Sequence, residues 1–227
     1  MKKTIAAASI LTADFLNLKL ELDKLWKANI KWIHYDVMDY NFVPNLSFGP
    51  KILSDITNFY DFNIDIHFMV RIDEKWNIND YLNSFMLNNV KQFTFHIESL
   101  NDSQINEVQN FCLKNRINFS LAINPNTSIE RIEKYFKILD NILVMSVQPG
   151  FGGQKFIEDV IIKIKDLKNI KNKNNYSYTI EIDGGINQET YKIAKEAGVD
   201  ILVAGSYLVN KNITQEELFE RVNQIEK

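Results

Sequence analysis

Short apolar segments alternate with helical patterns along the whole 227-residue chain, and this alternation restricts the fold more than any other feature. Residues 5–11 read as a strand ending near Ser9, and Asp14 is placed to cap a helix carrying Leu16, Leu20, Leu22, Leu25 and Trp26. Further strands are expected from Trp32 and at residues 62–67, 93–96, 119–123, 142–147, 178–182 and 201–204. Helical patterns lie between them, one opening at Gly49-Pro50 and others at 81–87, 105–113, 129–135, 160–170 and 190–197, the last stopping at Gly198. Thr214 with Glu217 makes a capping box for a final helix. About eight strand-then-helix units with no linker between them predict one domain, residues 1–227, folded as an α/β TIM barrel, (β/α)8. The strands read as nearly continuous apolar runs, which suits a parallel sheet covered by helices. An open doubly wound sheet shares the alternation but fits less well. Its early strand–helix junctions carry no Gly-rich fingerprint, and polar residues close many strands instead of clustering at one crevice.

The formal charge of −3 is spread without a basic block, so nucleic acid and an anionic membrane are poor candidates as partners, while a small anion is not. No stretch approaches the ~18 uninterrupted apolar residues of a membrane span. The opening Met-Lys-Lys-Thr-Ile-Ala-Ala-Ala-Ser resembles the start of a signal peptide, but Asp14 interrupts the apolar run and a helical pattern follows. Cys112 is the sole cysteine, so no intrachain disulfide forms, and the chain reads as cytoplasmic.

The chemistry collects where strands end. In WIHYDVMDYNFVPN, residues 32–45, His34 and Asp36 alternate with bulky strand formers and so share one face. Burying such a pair without a partner costs several kcal/mol, and a cation answers that cost. Ser9, Asp36, His67, His96, Asn124, Gln148, Asp183 and Gly205-Ser206 all fall at or just past the carboxyl ends of successive strands, the face on which barrel enzymes build their sites. His34, Asp36, His67 and Asp183 together supply two imidazoles and two carboxylates, a complete shell for a divalent transition metal. A histidine inside an apolar strand such as IDIHFMV is more often a satisfied core residue, and Asp183 alone need only begin a turn. Their joint occurrence on one rim favours the metal. His96 is assigned a supporting or structural place, with Glu98 as its hydrogen-bond partner.

Two glycine segments come late. Gly150-Phe151-Gly152-Gly153 follows the sixth strand and Gly205-Ser206 the eighth, where exposed backbone N–H groups and a short helix after Gly205 suit a phosphate. A tight turn is the plainer explanation of either alone, but Gly184-Gly185 beside Asp183 adds a third such segment. Met38, Met69 and Met145 sit at strand ends, either filling core gaps or lining the site with polarizable thioethers.

Ser9-Ile10-Leu11, HYDVMDYNFVPN, DIHFMV, FHIES, INPNT, VMSVQPGFGGQKF, IDGGI and VAGSYL, in this order, resemble the ribulose-phosphate 3-epimerase family along essentially the whole chain. The resemblance implies a TIM barrel that binds one divalent metal, Zn, Fe, Mn or Co, and interconverts D-ribulose 5-phosphate and D-xylulose 5-phosphate in the pentose phosphate pathway. It implies His34, Asp36, His67 and Asp183 as metal ligands, with Asp36 and Asp183 also as the two acid/base residues. It places the phosphate against Gly150 to Gly153 and Gly205-Ser206, and the sugar against Ser9, His67, Gly184-Gly185 and the three methionines. The partner it implies is a small sugar phosphate, handled by a homo-oligomer, a dimer or a hexamer. Tyr40 departs from the family, which usually has glycine there. If the position needs a positive φ, the loop is expected to bend differently or Tyr40 to pack over the pocket mouth.

Three rival functions share part of this pattern. A D-allulose 6-phosphate 3-epimerase shares most of these motifs, but in it the segments matching HIE and DGGI look like HPE and DGS. Barrel lyases acting on sugar phosphates carry Asp-x-Lys-x-x-Asp at the third strand, where this chain has Asp65-Ile66-His67-Phe68-Met69-Val70. A non-catalytic sugar-phosphate-binding barrel has no use for two carboxylates flanking a metal.

Overall fold

The computed structural model describes residues 3–227, and Met1 and Lys2 of the leader-like opening lie outside the described residues. It has eight strands, most of which present an apolar face outward and a more polar one inward. They are β1 Ile5–Ser9, β2 Trp32–Met38, β3 Asn63–Met69, β4 Val90–His96, β5 Asn118–Ile123, β6 Asn141–Met145, β7 Thr179–Asp183 and β8 Ile201–Ala204. All pair in parallel in chain order, and β8 pairs with β1 to close the ring. The helices are α1 Leu18–Lys27, α2 Pro50–Phe59, α3 Ile78–Asn83, α4 Asp102–Asn115, α5 Val160–Asn174, α6 Thr190–Ala197 and α7 Gln215–Glu226, with a 3-10 turn at Ile129–Tyr135. This is the TIM barrel that the alternation predicts.

The strands are not the uniform apolar runs expected from the sequence. Ile33, Tyr35 and Val37 of β2, Ile64, Ile66 and Phe68 of β3, and Phe93 and Phe95 of β4 join one core with the helices. Their alternates, His34, Asp36, Asp65, His67, Gln92, Thr94, His96, Ser120, Asn141 and Glu181, are buried and polar. Side chains alternate across a strand, so these polar residues point into the barrel, which they share with two smaller apolar clusters, one of Ala122, Leu143, Met145 and Val147 and one of Ala7, Ile201 and Val203. Register then sets who meets whom: Asp36 lies level with His67, and Met145 with Asp183.

Three elements depart from expectation. Asp14 caps a 3-10 turn at Phe15–Asn17, accepting from Leu16 N–H at 3.1 Å, so α1 starts only at Leu18. Leu16 and Leu20 are consequently 95% and 59% exposed, while Leu22 and Leu25 are buried. α3 starts at Ile78 because the Asn77 side chain accepts from Asp80 N–H, and it is over by Asn83. No helix follows Gly205: the N–H groups of Leu208 and Val209 both donate to its carbonyl, which closes a turn. The capping box at Thr214 forms as expected.

Candidate active site

β2, β3 and β7 deliver the polar groups that the sequence placed on one rim. His34 Nε2 and His67 Nδ1 face each other at 3.1 Å. Asp36 Oδ1 lies 3.4 Å from the first and 3.1 Å from the second, and Asp183 Oδ2 lies 3.8 Å and 3.9 Å from them. One atom from each of the four residues falls within 4.8 Å of every other. Ser9 Oγ donates to Asp36 Oδ2 at 2.8 Å, which leaves Oδ1 turned to the imidazoles.

Beneath them lies a layer that sequence reasoning missed. Asp65 Oδ2 accepts from His34 Nδ1 at 2.7 Å, and its Oδ1 takes Gln92 at 3.0 Å and Thr94 at 2.9 Å. Glu181 accepts from Gln92 at 3.1 Å and from Asn141 at 2.6 Å. The signal was present as a polar residue at every second position of NIDIHFM, VKQFTFH and TIEID. It was masked by the apolar residues between.

The fields inside the barrel are strong because these groups are buried. Burial works against a charge on His34, but Asp36 and Asp65 outweigh it and hold the imidazolium well above its usual range. Burial also opposes ionisation of Asp36, and His34 and His67 overcome it, so that carboxyl is held well below its usual range. For Asp183 burial wins, assisted by the Asp36 charge, and pushes it up to about 6. Glu181 is pushed up to about 7 by burial and by Asp65. His96 is driven down to about 4, chiefly by burial, and Glu98 is brought down to about 2 by His96 and Thr127 against its own burial.

Above the cluster opens a cavity of about 250 Å³. Ser9, Asp36, Asp183, Met38, Met69, Met145, Gly184 and Gly185 line one part of it, and Gly150, Phe151, Gly152, Gly153, Gly205 and Ser206 another. All the expected site residues therefore come together, except that His34 and His67 lie wholly buried just below the wall. Gly184 and Gly185 also have a packing role. A Cβ on Gly184 would lie 2.5 Å from Val147, and one on Gly185 2.7 Å from the Phe156 backbone. Among the described residues, no chain acceptor takes the N–H of Gly152, Gly153 or Ser206. Thr12, unforeseen from the sequence, packs between the two glycine segments, 2.5 Å from where a Cβ of Gly152 would sit.

Tyr40 settles the question its residue type raised. Its φ is 60°, so the loop keeps a left-handed residue here despite the side chain. The ring is 68% exposed and is not part of the cavity wall, so it does not cover the mouth. The loop is held instead by Asp39, which accepts from Asn41, Phe42 and Arg71 N–H groups, and by Asn45, whose amide donates to Gly150 O at 2.7 Å.

The donor set fits a cation. His34 gives its Nδ1 proton to Asp65, so in the neutral ring Nε2 carries a lone pair, and it points at His67 Nδ1 beside two carboxylates. Two imidazole nitrogens and two carboxylate oxygens, all within 4.8 Å of one another, form a cluster that can hold a divalent metal.

The ribulose-phosphate 3 epimerase family pattern matches residues 5–209. The ribulose-phosphate 3-epimerase of Bacillus subtilis (strain 168) is 34% identical over 215 residues, covering 94% of this chain and 96% of its own. That of Methanocaldococcus jannaschii is 37% identical over 207 residues, covering 90% and 84%. Among solved structures, orotidine 5'-monophosphate decarboxylase from Sulfolobus solfataricus superposes with a TM-score of 0.67 at 15% identity, over 99% of this chain and 98% of the other. The tryptophan synthase A-subunit of Pyrococcus furiosus gives 0.68 at 13% identity, over 98% and 97%. These two likenesses are of fold alone. With a family match that runs from the first strand past the eighth, and relatives alike along nearly the whole chain, the protein belongs to the ribulose-phosphate 3-epimerase family of isomerases.

Proposed function

We propose that the chain inverts carbon 3 of D-ribulose 5-phosphate, giving D-xylulose 5-phosphate, by two-base proton transfer at a metal-dependent site within a single barrel domain. The observation that carries this is the convergence of His34, Asp36, His67 and Asp183 on one point under a cavity walled by glycine loops. Inversion beside a ketone requires a proton to leave one face and another to arrive at the opposite face, through a planar enediolate. Asp36 and Asp183 approach from β2 and β7, which β1 and β8 separate around the ring. They are the groups we assign to those two transfers. His34, Asp36, His67 and Asp183 would hold Zn²⁺, Fe²⁺, Mn²⁺ or Co²⁺. When bound, the cation supplies Lewis-acid stabilisation of the negative charge that develops on the substrate oxygens.

Ser9 positions Asp36 through its 2.8 Å hydrogen bond and reaches the cavity. Met38, Met69 and Met145 offer a dry, polarizable wall for the planar intermediate. The free N–H groups of Gly152, Gly153 and Ser206 are assigned to the phosphate, with Gly150, Phe151 and Gly205 shaping the loops around it. No described helix is long and apolar enough to cross a membrane, and the buried lone Cys112 accords with a reducing, cytoplasmic setting. The test is a coupled assay for D-xylulose 5-phosphate on metal-loaded protein, with D-allulose 6-phosphate in parallel. Fast pentose turnover that a chelator abolishes is expected. Preferential turnover of the hexose phosphate, or pentose turnover indifferent to chelation, contradicts the reading.

A further inference from the structure

The hydrogen bonds running outward from His67 have a direction, and it is set at their far end. Glu98 follows β4 by two residues, and its Oε1 accepts from Asn124 N–H at 2.9 Å and from the Thr127 hydroxyl. Lys163 of α5 fixes that loop by donating to the carbonyls of Asn124, Pro125 and Thr127 at 3.1, 2.5 and 2.6 Å. Oε2 of Glu98 is left to meet His96 Nδ1 at 3.2 Å. A carboxylate only accepts, so His96 carries its proton on Nδ1 and offers Nε2 as an acceptor. His67 Nε2, 2.8 Å away, is therefore the donor. His67 Nδ1 lies 3.1 Å from Asp36 Oδ1 and gives that carboxylate any proton it carries, so with Nε2 held as a donor the proton that leaves to make room for a cation is the one on Nδ1.

We propose that Glu98, acting through His96, is a positioning residue that keeps a proton on His67 Nε2 and so makes Nδ1 the nitrogen that gives up its proton to a cation. The inference rests on the metal reading above and extends it. His34 reaches the same condition by the opposite nitrogen, because Asp65 takes its Nδ1 proton directly. Each proposed imidazole ligand thus has its own carboxylate anchor, one in direct contact and one acting across a second imidazole. His67 and His96 are both fully buried, and Phe42 packs on His96 with ring centroids 4.8 Å apart, so solvent has no access with which to reset the relay.

Glu98→Gln separates this role from simple loop anchoring. Its amide oxygen keeps the two donors from Asn124 and Thr127, which turns the NH2 group towards His96 Nδ1. Every bond of the relay then reverses, and the His67 proton moves to Nδ1, inside the metal site. The experiment is a long-range ¹H–¹⁵N correlation spectrum that assigns the tautomers of the 3 histidines, joined to a Zn²⁺ titration against a chromophoric chelator. Wild type is expected to carry a proton on His67 Nε2 both with and without Zn²⁺. Glu98→Gln, still unfolding cooperatively, is expected to show it on Nδ1 and to bind Zn²⁺ about 10–100-fold more weakly.

A wild-type His67 that lacks a proton on Nε2 overturns the proposal, and that spectrum needs no variant to fold. Zn²⁺ affinity in Glu98→Gln within about threefold of wild type overturns it as well, while leaving the metal reading intact. A wild type that takes up no divalent cation overturns both.

Discussion

At the scale of single residues, the site depends on carboxylates that differ more in surroundings than in kind. Asp36 is flanked by two imidazoles and a serine hydroxyl, and it stays ionised. Asp183, 16% exposed at its side chain, sits at the wall with fewer partners and titrates higher. Replacing either by asparagine keeps the shape and removes the base. Asp36→Asn and Asp183→Asn are each expected to lower turnover by about 10²–10⁴-fold in the coupled assay. Retention of most of the activity by one of them would remove that residue from the proton path. The pair was legible because each aspartate falls at or near the carboxyl end of a strand. Asp65 and Glu181 were not, because each lies two residues earlier, inside a run whose apolar neighbours suggested a buried strand without a polar face. Which face of such a strand turns inward depends on closure of the ring, a long-range fact that no local window contains.

At the scale of elements, strands were read more faithfully than helix ends. β1, β8 and α6 lie where periodicity put them, since short runs bounded by Gly, Asp and Asn leave little room for error. The starts of α1 and α3 shifted because a cap is a competition: Asp14 and Asn77 satisfy nearby N–H groups in a geometry that local pattern does not specify. The β2 loop shows the opposite case, in which the fold overrides the residue. Tyr40 holds φ 60° because Asp39 and the Tyr40 N–H bond to Asn45 O at 2.9 Å fix the backbone on either side. Left-handed backbone costs a non-glycine residue about 1–2 kcal/mol, and glycine's greater freedom when unfolded returns part of that. Tyr40→Gly is therefore expected to raise stability in urea by up to about 1 kcal/mol, with turnover nearly unchanged because the ring lies outside the cavity. A loss of stability, or a large fall in kcat, would show that the exposed ring does work that its contacts do not reveal.

At the scale of the whole molecule, the barrel is closed by apolar packing outside and polar bonding inside, and the two halves respond differently to acid. Glu98 is held at about 2 in the folded protein against an ordinary 4.5. A depressed carboxyl contributes stability that is complete above its unfolded value and is lost as pH falls towards the folded one. The stability difference between wild type and Glu98→Gln, measured by urea unfolding, is expected to shrink by about 2 kcal/mol between about pH 6 and about pH 3. A difference that stays constant would mean that Glu98 is not ionised in the fold.

Closure of the ring also has a consequence in time. β1 finds one of its two neighbours only when Ile201–Ala204 exists, because Ile5 to Ala8 pair with those residues. At a synthesis rate of about 5–20 residues per second, roughly 200 residues take on the order of 10–40 s, and for that interval the first strand waits on the ribosome with an open edge. Open edges recruit other strands, most readily when they are bulky and β-branched. The strand that waits longest reads Ile-Ala-Ala-Ala-Ser, the one with the smallest side chains in the barrel. The segment most exposed to mispairing during birth is thus the one least able to reward it.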